Sequence, residues 1–439
     1  RRNFLHGTGA VIAAGSLSQV IQSRASAQGL LNSGGYGALI PDPDGILDLP
    51  AGFTYRIFSR EGELLSDGHT VPGCHDGMAA FSASFFGDFL VRNHEINPED
   101  AEEDGIVTVA QPKGLTYDPE GAGGTTTLLV HRGRVLQSKI SLAGTLDNCA
   151  GGPTPWGTWL TCEENTDTLS KPHGYIFEVD PWRGGNPEPI KAMGRFEHEA
   201  VAFGRDGSAY LTEDTSEPYG LIYRYQPTHR LRGRGSLHAG GVLTALQVEG
   251  VTVDLSEVVE PGTVLPVKWV EIANVDPGDK DTSTREQGIG KGATPIQKAE
   301  GAWRGRDGSI WFTASYAVGP TPEDPEDAPT VNAHKGQIWK YDPRRDKLEL
   351  VAIFPVGVAW DGPDNITVGP HGFAVACTDG DGENFLLGIS DDGKVWPLAR
   401  NANGDDEFTG ATFSPDGRTL YANIQGIPAF SIAITGPWR

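Results

Sequence analysis

Cysteine is scarce in this 439-residue chain, four in all, and methionine is scarcer, at two. Four thiols (Cys74, Cys149, Cys162 and Cys377) cannot staple a chain of this length, so stability must come from a hydrophobic core. Each thiol is then core filling, a ligand or half of an isolated bridge. No apolar run is long enough for a transmembrane helix, and no polybasic run points to nucleic acid. GxGxxG and P-loop sequences are missing, as are GxSxG, CxxC and HExxH, which removes the common dinucleotide, nucleotide, serine-hydrolase and zinc signatures. Basic residues are the minority charge: 35 Lys and Arg against 58 Asp and Glu leave a net charge of −23. Such a chain is soluble and self-repelling, and it repels an anionic substrate at long range unless bound cations reverse the local field.

Turn-forming residues are abundant instead. Glycine (59) and proline (31) are spread among apolar residues, a pattern of many short strands and not of disorder. One hairpin recurs, two short apolar strands around a glycine turn. It reads CAGGPTPWGTWLTCEE from Cys149, EAVAFGRDGSAYLTED from Glu199, EGAWRGRDGSIWFTAS from Glu300, DNITVGPHGFAVACTD from Asp364 and TGATFSPDGRTLYANI from Thr409, with a looser copy from Asp76 to Glu95. Six copies predict an all-β fold, a six-bladed β-propeller with loop insertions and a site in its central channel. A seven-bladed propeller or a pair of β-sandwiches are the other folds this pattern allows. The stretch PTPEDPEDAPT from Pro320 reads as an acidic surface loop.

Counting from the turn glycines Gly157, Gly207, Gly308, Gly372 and Gly417, the residue eight before is Cys149, Glu199, Glu300, Asp364 or Thr409. Seven after comes Glu164, Asp214, Ser315, Asp379 or Ile424. Positions equidistant from a hairpin turn lie side by side at its open end, so each copy delivers two side chains to one mouth of the channel. One thiol and six carboxylates gathered there cannot all ionise without cations, because desolvation and like charge would return the protons. Metal resolves this, with Cys149, Glu164, Glu199, Asp214, Glu300, Asp364 and Asp379 as candidate ligands. Carboxylates suit Ca²⁺ or Fe³⁺, and a thiolate favours a transition metal. Cys149 could instead bridge to Cys162, and Cys377, in the run FAVAC, reads as a core thiol. His94 and His198 are ligands or satisfied structural histidines, while Asp206, Asp307 and Asp416 are turn chemistry.

The chain opens RRNFLHGTGAVIAAGSLSQV, which resembles a twin-arginine export signal with a small-residue cleavage site at Ala25-Ser26-Ala27. The expected division is a signal over residues 1–27 and one propeller domain over 28–439, exported to the periplasm or beyond.

These segments carry a family resemblance. With NHE at 93–95, NCAGGPTPWGTWLTCEEN at 148–165, GRFEHEAVAF at 194–203, DNI at 364–366, TDG at 378–380 and EFTGATFSPDGRTLYANIQ at 407–425, the chain resembles the PhoX-type alkaline phosphatases. The resemblance implies a propeller that hydrolyses phosphomonoesters at a cluster of Fe³⁺ and Ca²⁺ ions, without a side-chain nucleophile. Cys149 is then similar to the family's thiolate iron ligand, and Glu164, Glu199, Glu300 and Asp379 to its carboxylates. Lys298 stands where the family's phosphate-holding arginine is expected; it and Arg195 are the candidate cations for the phosphate. A lysine there is a point charge without the bidentate fork. The implied partners are a small phosphate ester and the twin-arginine export machinery, for a monomer that binds no nucleic acid and does not insert into membranes. A calcium-dependent lactonase, or a propeller that only binds, would not need a thiolate at Cys149.

Overall fold

A computed structural model describes residues 35–216, 219–250, 254–278, 283–322, 325 and 327–439. The expected export signal lies outside the described residues.

The recurring hairpins form as their turns dictate. In the turn 154–158 the Thr154 amide donates to the Thr158 carbonyl (2.8 Å) and Gly157 sits at φ +83°, a left-handed conformation that costs a glycine little. Gly207, Gly308 and Gly417 repeat that conformation at φ +82°, +94° and +72°. Several of the hairpin strands are wholly buried, among them Trp159–Glu163, His198–Phe203 and Phe373–Thr378. Outer strands such as Val395–Asn401 alternate between buried and half-buried residues. Strands covered on both faces read as continuous apolar runs, whereas strands at a margin alternate.

The strands assemble into antiparallel meanders, with no parallel ladder between named strands. Among the described residues there are three four-stranded sheets, one of six strands and one of nine. Two meanders, running from His198–Phe203 to Gly241–Val248 and from Ala299–Arg304 to Lys347–Pro355, are fused into the nine-stranded sheet by Val264–Glu271, which pairs with both. The last sheet is completed by an early strand: Thr54–Arg60 pairs with Phe430–Thr435. This stitches the two ends of the described chain together and removes the open edges a linear array would leave.

The first strand of each hairpin packs on the first strand of the next. His75–Ser82, Asn148–Pro153, His198–Phe203, Ala299–Arg304, Pro363–Val368 and Phe408–Phe413 follow one another and return to His75–Ser82, a closed ring. Glycine allows the approach: a Cβ on Gly152 would lie 1.6 Å from the Val201 carbonyl oxygen, so no other residue fits. Apolar layers fill the spaces between sheets, for example Leu160, Ile176, Val201, Leu211 and Tyr223. The architecture is all-β and propeller-like. The sandwich alternative falls because the inner strands close on themselves. Cys149 and Cys162 are not joined, so the bridge between them is not formed, and Cys162 and Cys377 are core thiols.

Candidate metal centre at the inner end of the ring

One backbone device repeats around the ring. In every inner hairpin the first strand bulges near its start, between His75 and Met78, Asn148 and Gly151, His198 and Val201, Ala299 and Ala302, Pro363 and Ile366, and Thr409 and Thr412. A bulge adds one unpaired residue and re-aims its side chain. The first residues of these bulges are Asp76, Cys149, Glu199, Glu300, Asp364 and Gly410. Beside each lies the residue that follows the second strand: Glu95, Glu164, Asp214, Ser315, Asp379 and Gln425. Their backbone amides donate to the carbonyls of Cys74, Asp147, Glu197, Lys298, Gly362 and Glu407, at 2.8 to 3.2 Å.

This arrangement brings two sets of ligand atoms within 4.8 Å of one another: Cys149, Glu164 and Glu199 in one, and Glu199, Glu300 and Asp364 in the other. Glu199 belongs to both. Asp214 joins through Lys298, whose Nζ lies 2.6 Å from its Oδ2 and 3.5 Å from Glu300 Oε1. Ser315 Oγ donates to the same Glu300 oxygen at 2.6 Å, and Asn365 Nδ2 donates to Asp364 Oδ1 at 3.0 Å and reaches Glu199 Oε1 at 3.5 Å. Asp379 stands exposed at the rim and acts on Glu300 and Asp364 by its charge.

Crowding of acids shapes the electrostatics. Burial first, and neighbouring carboxylates second, raise Asp76, Glu164, Glu199 and Asp364 well above their ordinary values and push Glu300 up to about 8. Burial beside Glu199 likewise raises the Cys149 thiol, whose Sγ points at the His198 carbonyl, 3.2 Å away. Buried Oδ1 atoms of Asp76 and Asp214 have no hydrogen-bond partner. A crowded set of buried acids, two of them with an unpartnered oxygen, is the donor chemistry that bound cations suit.

Sequence spacing missed part of the ring. Asp76 and Glu95 occupy the first hairpin's bulge and post-strand positions, and Glu407 is buried beside Gln425, whose Nε2 donates to Glu95 Oε2 at 2.5 Å. Asp76 and Glu95 bounded the looser copy, but its turn, 82–88, is longer than the others, so a count from the glycine misplaces them. In the last copy the turn holds one extra residue, so Ile424 is a strand residue and Gln425 takes the post-strand place. The bulge there carries Gly410, which has no side chain to offer. His94 and His198 are structural: His94 bonds the Gly73 carbonyl and Thr126, and His198 bonds the Gly194 carbonyl, with burial lowering it to about 3.

A family profile, alkaline phosphatase PhoX, matches residues 34–141 and 134–427. The chain belongs to the PhoX family. Its activity is the metal-dependent hydrolysis of phosphomonoesters. Pseudomonas fluorescens PhoX, solved with vanadate as a transition-state analogue, shares the fold at 18% identity and TM-score 0.67, over 91% of this chain and 97% of that one. A gluconolactonase from Xanthomonas campestris is more distant, at 12% identity and TM-score 0.45 over 92% and 99% of the two chains. No curated protein matches. Within this PhoX chain the two candidate phosphate cations part company. Lys298 faces the acids, 22% exposed, in a left-handed backbone conformation at φ +49°. Arg195 is placed elsewhere: it donates to the carbonyls of His173 (2.8 Å) and Thr166 (2.7 Å) and braces those loops.

Proposed function

We propose that this PhoX phosphatase works at an Fe³⁺ and Ca²⁺ cluster held at the mouth of a six-bladed propeller, the closed ring of six inner strands being the support for the blade count. Cys149, Glu164 and Glu199 would hold the transition-metal corner, since a thiolate favours such an ion, and Glu199, Glu300 and Asp364 the all-oxygen corner, which suits calcium. Asp214 and Asp379 complete the acidic wall. When bound, the ions supply the positive charge that a phosphoryl group needs on its equatorial oxygens and make water more acidic.

The chain's own residues do the rest. Ser315 fixes one oxygen of Glu300, and Asn365 ties Asp364 to Glu199, so the carboxylates are presented in set directions. Cys149 must give up its proton to ligate, and the raised thiol means that only a strongly bound ion draws it off. Lys298 places an ammonium beside the cluster, where it steadies the phosphate as a point charge. Arg195 holds the loops around His173 and is a positioning residue in this reading. Export by the twin-arginine route, one domain over residues 28–439 and a monomeric state complete the proposal.

The observation that carries the reading is the meeting of two ligand sets at Glu199. Metal content and turnover of an aryl phosphate at alkaline pH, before and after calcium chelation, test it. Turnover that falls with the loss of calcium and returns on its addition supports the proposal. A fully active protein without iron or calcium would refute it.

A further inference from the structure

Acids crowd the mouth of the ring, but the opposite end is basic. At that end, in the first three meanders, the turns 82–88, 131–134, 153–159, 180–184, 203–209 and 227–241 hold seven arginines and three aspartates. The sequence has no polybasic run; folding gathers Arg132, Arg134, Arg183 and the alternating Arg230, Arg232 and Arg234 onto one end. Large apolar side chains stand among them. Phe85 is 98% exposed, Phe86 67% and Trp182 60%. The two phenylalanines form the tip of a hairpin in which no residue of the short helical turn Ser84–Phe86 is buried.

These features form one patch. Asp88 at the base of the tip pairs with Val130, which sets the turn 82–88 against 131–134. Trp182 packs edge-on against Phe89, ring centres 4.4 Å apart, and Lys139 Nζ bonds its carbonyl at 3.0 Å. Arg234 spans Asp180 (3.4 Å) and the Gly184 carbonyl (3.3 Å) and, with Trp182, Trp156 and Phe81, lines an open hollow of about 640 Å³. Adjacent exposed aromatics on a hairpin tip, ringed by arginines, are costly in water alone.

We propose that this end docks on an anionic lipid bilayer, with Phe85 and Phe86 lodged at headgroup level and the arginines on headgroup phosphates. Charge complementarity selects an anionic surface, and the aromatic tip selects a lipid one, because a soluble polyanion offers no apolar phase for it. The net charge of −23 does not forbid this. The acids of the metal mouth sit about 20 Å away at the far ends of the strands, beyond a Debye length of about 8–10 Å at ordinary ionic strength, and at this end arginines outnumber aspartates in the turns of the first three meanders. Docked this way, the metal mouth faces away from the bilayer and stays open to soluble phosphate esters.

The test uses the whole metal-loaded protein and vesicles of phosphatidylcholine, with and without phosphatidylglycerol, in co-sedimentation at low and high salt. The expected result is binding to the phosphatidylglycerol vesicles alone, lost at high salt. The pair Phe85→Ser and Phe86→Ser should weaken it at least about tenfold, and Arg132→Glu with Arg134→Glu at least as much. Hydrolysis of a soluble aryl phosphate should be unchanged in both variants, which shows that they fold. No binding to either vesicle, or equal binding to both, would overturn the proposal. So would vesicle binding that survives loss of both phenylalanines and is matched by binding to heparin, which would assign the face to a soluble polyanion.

Discussion

Two corners meet at Glu199, and they differ in how their charge is balanced. The first, with Cys149 and Glu164, holds a thiol that burial keeps protonated, and Lys298 reaches it only through its charge on Glu164. The second, with Glu300 and Asp364, has Lys298 within 3.5 Å and amide and hydroxyl donors from Asn365 and Ser315. In the proposed cluster the first corner would therefore depend on a strongly bound ion, whereas the second, partly neutralised by the protein itself, would suit a more weakly bound, exchangeable one. One bulged backbone, repeated, thus produces two kinds of site simply by changing the residue at the bulge.

The sharpest way to break that comparison is at the shared residue. Glu199→Gln should strip both corners at once and lower kcat/KM by at least about a thousandfold, or some 4 kcal/mol of transition-state stabilisation. Metal content should fall for both ions; loss of only one would mean that the corners are independent. Cys149→Ser acts on one corner only. Its expected cost is about a hundredfold in kcat, with iron lost and calcium kept. Equal loss of both ions would show that the thiol organises the entire cluster.

Much of this site is legible in the sequence. The glycine turns place Cys149, Glu199 and Glu300 at equivalent positions, because a two-residue side-chain period and a short turn fix which residues reach the open end. What spacing alone does not convey is the bulge. It decides that Gly410, and not Thr409, occupies the last copy's ligand position, and it depends on the packing of neighbouring inner strands. Thr409 instead donates to the His75 carbonyl (2.6 Å), a bond across the seam between the last hairpin and the first. Asp76 and Glu95 are hidden for a different reason: a longer turn shifts the count without shifting the strand ends. The basic end is illegible because its arginines come from separate segments.

Stability against pH should separate the ion-free from the loaded protein. In the ion-free state Glu300 has its pKa raised from 4.5 to about 8, and Asp76, Glu164, Glu199 and Asp364 shift the same way. A carboxyl raised on folding contributes its stability fully below the unfolded value and loses it as pH climbs through the folded one. The chelated protein should therefore lose at least about 5 °C in Tm between pH 5 and 9. Restored iron and calcium should abolish that slope, because ionised carboxylates are then the favoured form. An unchanged slope would mean that the ions do not sit among these acids.

The smallest effects distinguish the two basic residues. Lys298→Met removes an ammonium held 2.6 Å from Asp214, so KM should rise about tenfold with kcat changed less, the pattern of lost phosphate binding. Lys298→Arg should recover most of it, because charge and not fork geometry is what this position supplies. Arg195→Gln should leave kcat and KM within about twofold while costing about 1–2 kcal/mol of stability, since its bonds run to loop carbonyls and not to the acids. If Arg195→Gln instead raised KM as Lys298→Met does, the loops around His173 would have to move onto the phosphate during turnover. The oxygen corner would then owe its substrate contact to a segment that stands apart from it at rest.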